Sequence, residues 1–322
     1  VREDAPLFAD MAEGPPGGRA WWLKTDDGVR IRAGLWPAPD ARGTVLLFPG
    51  RTEYIEKYGR AADDFARRGL ATLCVDWRGQ GLADRLMDDP MTGHVNLFSD
   101  YQRDVAALLD LAHDLDLPRP WHLLGHSMGG GIALRAAMAG LDVVSCVFSG
   151  PMWGIQIADP LRPLAWSLAW GSRQLGVGHH YAPGTDGRTY VLYEPFETNK
   201  LTRDREMYDY MIGHLRAHPE LALGGPSLHW LHEALVETRE LSVLPSPDLP
   251  CLTLMGSEED IVDTTRIEER MADWPGGRLE VVPGARHEVL MEDAATRARL
   301  FDMIAEFCHA AGGTADGTPT HA

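Results

Sequence analysis

Short apolar runs alternate with helical patterns along this chain, and that alternation restricts the fold more than any other feature. TVLLF (44–48), ATLCVD (71–76), WHLLG (121–125), VVSCVFSG (143–150), CLTLMG (251–256) and LEVV (279–282) read as buried strands. Between them 54–68, 99–115, 128–139, 264–273 and 293–309 read as helices, the second with Val105, Leu108, Leu109, Ala112 and Leu115 on one face. Strand–helix alternation of this kind implies an α/β protein, with a mostly parallel central sheet and helices on both faces. Ahead of it, WWLK and VRIRAGLW flank the turn signal Asp26-Asp27-Gly28 and predict a hairpin over 20–36.

The pattern stops after residue 150. Residues 151–238 carry no clear strand, several tryptophans and helical stretches at 203–217 and 228–238. Alternation resumes after Pro245-Ser246-Pro247. The expected organisation is a core of 20–150 and 239–310, a cap insertion over 151–238, a flexible segment over 1–19 and a flexible tail over 311–322.

Gly125-His126-Ser127-Met128-Gly129 stands where a strand ends and a helix begins. A G-x-S-x-G turn in that setting holds the serine in a strained conformation, hydroxyl exposed, with free N–H groups of the helix start beside it. A serine hydroxyl needs a base to act near neutral pH. His287, in PGARHEVLMED after the last predicted strand, is the candidate. An acid must orient the imidazole, and the loop Gly256-Ser257-Glu258-Glu259-Asp260 supplies several. Counting from the glycine and back from the next helix favours Glu259, with Asp260 as the alternative. The N–H groups of Met128 and of Arg51, in Pro49-Gly50-Arg51-Thr52-Glu53, are the candidate oxyanion donors. Gly50, Met152 and Trp153 are expected at the substrate, Met152 as part of an apolar pocket under the cap and Trp153 because it follows the 143–150 strand closely. The Arg51 side chain has two readings: an ion pair with Glu53, or a contact with a phosphate or carboxylate of the substrate.

These segments together resemble the monoglyceride lipase and lysophospholipase branch of the α/β-hydrolases, the serine aminopeptidase-like family, over roughly residues 20–310. PGRTEYIEKY resembles its oxyanion segment, DWRGQGLADR (76–85) its Asp-x-Arg-Gly-x-Gly segment, GHSMGG its elbow and GARHEVLMED its histidine loop. GRTEYIEKY and NKLTRDREMY…AHPELALGGPSLHWL are most similar to bacterial lysophospholipase L2-type proteins. Pro49 stands where the family usually has histidine, Arg51 where it has a small residue, and Glu259 where it has aspartate. The resemblance implies the α/β-hydrolase fold with a helical cap. It also implies cleavage of carboxylic esters, of lysophospholipid or monoacylglycerol type, through an acyl-enzyme on Ser127. Amide cleavage, C–C hydrolysis, acyl transfer, or a binding protein on the same fold are the alternatives.

The formal net charge of −17 argues against a nucleic-acid partner. The expected partner is a small ester or lipid, with no cofactor and no metal. His232-Glu233 and His287-Glu288 begin an H-E-x-x-H pattern, but Val236 and Met291 break it, and His214 with His218 has no third ligand in sequence. Cys74, Cys146, Cys251 and Cys308 lack metal-ligand spacing and read as free thiols in a reducing compartment. The first residues lack the apolar core of a secretory signal, and no apolar run reaches membrane-spanning length. The expectation is a cytoplasmic protein, with transient contact at a membrane surface left open.

Overall fold

A computed structural model describes residues 3–157, 160 and 162–315. Nine strands and ten α-helices are assigned among them. In chain order these are β1 (Asp4–Ala5), α1 (Ala9–Ala12), β2 (Arg19–Lys24), β3 (Arg30–Trp36), β4 (Thr44–Phe48), α2 (Gly59–Ala66) and β5 (Ala71–Asp76). They continue with α3 (Tyr101–Asp114), β6 (Trp121–His126), α4 (Met128–Met138), β7 (Ser145–Ser149), α5 (Arg162–Gln174), α6 (Tyr190–Tyr193), α7 (Arg205–Ala217) and α8 (Leu228–Val243). The last are β8 (Cys251–Gly256), α9 (Thr264–Ala272), β9 (Arg278–Val282) and α10 (Ala294–Ala315).

All nine strands form one sheet in the order β1-β2-β3-β5-β4-β6-β7-β8-β9. Pairing is antiparallel as far as β3–β5 and parallel from β5 to β9. Every residue of β4, β5, β6, β7 and β8 is buried, as expected of strands covered on both faces. One apolar cluster, with Leu46, Leu73, Leu123 and Trp121, fills one face; another, with Leu47, Leu124, Leu252 and Phe301, fills the other.

The strand order reverses at β4. Its neighbours are β5 on one side and β6 on the other, so the chains leaving β4 and β6 diverge above the sheet. Such a switch point opens a crevice at the carboxyl ends of the strands. The register pairs Phe48 with Gly125, so the loop starting at Pro49 and the turn at Ser127 emerge side by side.

Residues 3–19, expected to be flexible, are built into the fold. β1 pairs with β2, Ala12 is fully buried, and Tyr210 Oη and His214 Nε2 of α7 each lie 2.7 Å from a carbonyl of Ala12 and Met11. Between β7 and β8 no strand is assigned among the described residues; α5 to α8 occupy that span. α8 runs through residue 238 without a break to Val243, so the expected insertion boundary falls inside a helix. Of the expected tail, 311–315 extend α10, while 316–322 lie outside the described residues, as do 1 and 2. No helix among the described residues is long and apolar enough to cross a membrane.

Candidate active site

Ser127 connects β6 to α4 at φ 50°, ψ −121°, a backbone region L residues rarely occupy. The turn closes only because its flanks are glycine. A Cβ on Gly129 would stand 2.0 Å from the Phe48 carbonyl oxygen, and one on Gly125 2.8 Å from Gly129 O.

His287 follows β9 on a loop and is 3 % exposed, buried rather than a surface histidine. Its Nδ1–H donates to Glu259 Oε2 at 2.7 Å. That leaves Nε2 as the basic nitrogen. Glu259 Oε1 accepts the N–H groups of Ile261 and Val262 at 2.8 and 3.2 Å. Burial opposes ionisation of this carboxyl, but His287 and the two N–H donors outweigh it and hold the pKa below the usual glutamate value. Asp260, the alternative acid, points elsewhere: exposed, it pairs with Lys200 at 2.5 Å. The segment Asn199–Arg203 fastens the histidine loop. Glu288 N–H donates to Leu201 O at 2.8 Å, and Arg286 Nη1 to Asn199 O at 2.6 Å.

Ser127 and His287 line one cavity of about 530 Å³. Arg51 and Thr52 form part of its wall, and Val191, Met211, Leu215 and Ile261 give it apolar surface. The directions of two N–H groups beside Ser127 are set by their peptide carbonyls, since C=O and the following N–H point opposite ways across a trans peptide. Gly50 O accepts from Gln80 Nε2 at 2.8 Å, which orients the Arg51 N–H. Ser127 O accepts from Met152 N and Gly130 N, both at 2.8 Å, which orients the Met128 N–H. The Trp77 indole N–H fixes Pro49 O at 2.9 Å.

Gly50, also expected at the substrate, is not among the residues lining the cavity but lies against the serine: a Cβ there would be 3.0 Å from Ser127 Cβ and from the Glu53 carboxyl group. Met152 and Trp153 are corrections to the sequence reading. Neither lines the cavity holding Ser127. Met152 is buried in the core and meets the site through its backbone N–H alone. Trp153 turns inward, stacks on Trp274 at 6.2 Å and meets Phe148 edge-on at 4.9 Å. It lines a separate cavity of about 260 Å³ with Trp166 and Leu235. Apolar burial of a large indole against two rings prevails over its nearness in sequence to β7. The expected Arg51–Glu53 pair is also absent: Glu53 is held by Lys57, by Tyr58 Oη at 2.5 Å and by the Gly50 N–H.

That carboxylate belongs to a buried ionic cluster under the site. Lys57 Nζ bonds both Glu53 and Glu288, the latter at 2.6 Å. His126 donates Nδ1–H to Ser149 O at 2.9 Å and presents Nε2 3.3 Å from Glu288 and 3.6 Å from Glu53. With Nδ1 turned to Ser149, Nε2 faces two carboxylates that favour a positive charge on the ring. Burial opposes that charge, but Glu288 and Glu53 raise the His126 pKa regardless. Burial likewise opposes the charge on Glu288, which His126 and Lys57 nevertheless hold well below the usual range. Glu53, His126 and Glu288 have ligand atoms within 4.8 Å of one another, as a cation site would. The positive charge between the carboxylates is the Lys57 ammonium. The cluster ties the loop that starts at Pro49 to the residue after His287. Glu53 and Lys57 are visible in sequence as an i,i+4 pair, whereas Glu288 joins them from 231 residues away.

Residues 39–294 match the family model described as serine aminopeptidase, S33. The chain is 33% identical over 327 residues to lysophospholipase L2 of Escherichia coli (strain K12), covering 95% of this chain and 93% of that protein. It is 30% identical over 275 residues to monoacylglycerol lipase of Mycolicibacterium smegmatis, covering 82% and 88%. Among solved structures, a soluble variant of Saccharomyces cerevisiae monoglyceride lipase with a substrate analog superposes with TM-score 0.70 at 21% identity, covering 90% of this chain and 94% of that one. At that identity the likeness speaks for the fold.

Proposed function

The chain belongs to the serine aminopeptidase S33 family, and from that premise we propose that it is a serine hydrolase cleaving carboxylic esters of single-chain acyl lipids, of lysophospholipid or monoacylglycerol type. The observation that carries the reading is the strained Ser127 sharing a cavity with a His287 whose Nδ1–H is held by a buried Glu259. Relatives named lysophospholipase and monoacylglycerol lipase support the substrate class, as does the apolar wall of Val191, Met211 and Leu215.

In this reading Ser127 Oγ attacks the ester carbonyl carbon while His287 Nε2 takes its proton. Glu259 stabilises the imidazolium and keeps it oriented. The N–H groups of Met128 and Arg51 receive the oxyanion. His287 then protonates the departing alcohol, and water resolves the acyl-enzyme by the same steps. The reaction belongs at a lipid surface in the cytoplasm. Exposed Trp170, Leu175, Leu192 and Tyr193 on the insertion support the first part, and four free, buried cysteines the second.

A fluorophosphonate probe and a hydrolysis panel test the proposal together. Wild-type protein is expected to be labelled at Ser127 and to cleave monoacylglycerol and lysophospholipid. Ser127→Ala should lower kcat by roughly 10⁶, by analogy with other triads. Folded wild-type protein that resists the probe and leaves every ester intact would overturn it.

A further inference from the structure

Four basic side chains besides His287 line the cavity that holds Ser127: Arg51, Lys57, Arg188 and Lys200. Three have carboxylate partners. Lys57 bonds Glu53 and Glu288, Arg188 pairs with Asp186 at 2.7 Å, and Lys200 pairs with Asp260. Arg51 has none among the described residues. Its side chain is nonetheless fixed. Nη1 donates to Gly224 O at 2.9 Å, the guanidinium carbon lies 5.7 Å from the Trp230 ring centre, and a Cβ on Gly93 would stand 2.7 Å from Nη1. Burial without an offsetting carboxylate lowers its pKa to about 10, which leaves it cationic at neutral pH. A half-buried charge without a counter-charge is costly, and a guanidinium has five N–H donors of which the Gly224 carbonyl takes one.

A ligand anion would complete this arrangement, and covalent geometry gives the distance at which it would sit from the reacting carbonyl. Six bonds separate the Arg51 backbone nitrogen from its guanidinium carbon. Six bonds also separate the ester carbonyl carbon of a 1-acyl lysophospholipid from its phosphorus, each span reaching about 7 Å when extended at ~3.5 Å per three bonds. One residue can therefore hold the reacting carbonyl with its N–H and the phosphate with its side chain. We propose that Arg51 is the specificity-determining residue of this site, its guanidinium receiving the phosphodiester oxyanion of a lysophospholipid head group. This rests on the ester-hydrolase reading and adds to it the feature that separates a phospholipid from a neutral acylglycerol.

The test compares wild type, Arg51→Met and Arg51→Lys on three substrates: a lysophosphatidylcholine, the monoacylglycerol with the same acyl chain, and a p-nitrophenyl ester. The readout is the ratio of kcat/KM on the lysophospholipid to kcat/KM on the monoacylglycerol. Losing charge-assisted hydrogen bonds to the phosphate should lower that ratio roughly 10- to 100-fold in Arg51→Met. Arg51→Lys keeps the charge but not the fork, so its ratio should fall less. Glycerophosphocholine should inhibit p-nitrophenyl ester cleavage competitively in wild type, with a Ki that rises by a similar factor in Arg51→Met. A ratio unchanged in both variants overturns the proposal. So does inorganic phosphate inhibiting as strongly as glycerophosphocholine, which would make the site one for free phosphate. Residual p-nitrophenyl ester turnover shows that a variant has folded with its site assembled. Absence of Ser127-dependent turnover in wild type would instead count against the ester-hydrolase reading itself.

Discussion

Replacing Lys57 with methionine keeps an unbranched apolar stem one atom shorter and removes the ammonium between Glu53 and Glu288. In the native protein all three side chains are almost fully buried, and Lys57 Nζ contacts both carboxylates. Without it, two acids face each other with only the His126 ring beside them. Breaking a buried ionic arrangement by deleting one partner costs about 3–5 kcal/mol. For a domain of this size that is a fall in Tm of roughly 6–20 °C, at about 2–4 °C per kcal/mol. The pH dependence has a definite sign. In Lys57→Met one carboxyl acquires a folded pKa above its unfolded value of about 4.3. Its contribution is complete below the unfolded value and is lost as pH rises through the folded one. In wild type, Glu288 is held low, so its contribution is present above the unfolded pKa and lost as pH falls through the folded value. Both trends make the Tm gap narrow in acid and widen toward neutrality. Calorimetric Tm values for both proteins from pH 4.5 to 8 measure this directly. Glu53 also holds the Gly50 N–H, so kcat should fall more than KM changes. A Tm deficit below about 2 °C, or one that does not vary with pH, would refute the claim that this ammonium neutralises two buried acids.

Ser127→Gly should abolish activity yet melt higher than Ser127→Ala, which keeps the Cβ and thus the strain at φ 50°. Relief of about 1–3 kcal/mol less the entropy of the added glycine leaves a gain of a few degrees in Tm. Glu259→Gln should lower kcat by roughly 10⁴ through loss of imidazole orientation, while Asp260→Asn, which removes an exposed pair with Lys200, should stay within about threefold of wild type. Equal effects of those two substitutions would contradict the assignment of the acid. Gln80→Leu frees the Gly50 carbonyl and should cost about 10- to 100-fold in kcat with little change in KM, seen in steady-state kinetics on a p-nitrophenyl ester.

The parallel strands were legible in sequence because burial on both faces makes each a continuous apolar run, and ATLCVD and CLTLMG end at Asp76 and Gly256, which break the run. The elbow was legible because its glycines are demanded by backbone contacts. Glu259 was favoured over Asp260 by counting, and the fold puts Glu259 on His287 and Asp260 in solvent. What the sequence hid depends on distant partners. Residues 3–19 have no period of their own, and their order comes from Tyr210 and His214 across some 200 residues. The cavity wall at Tyr190–Tyr193 is a single helical turn, too short to show amphipathicity. Trp153 misled because position after a strand gives proximity to a site but not the direction of the side chain.

The same distinction explains why an unusual residue can sit at position 51. The two N–H groups proposed to receive the oxyanion are aimed by their carbonyls, one pinned by Gln80 and the other by Met152 and Gly130. None of these pins involves the side chain of residue 51. A backbone donor oriented from behind survives a change of side chain in front of it, so a small residue and an arginine serve the oxyanion alike. The side chain is then free to meet a different requirement. In this fold it extends along Trp230 to the Gly224 carbonyl, on the wall opposite no carboxylate of its own. On the proposed reading, catalysis and head-group selection are separable within one residue, the first carried by its amide and the second by its guanidinium.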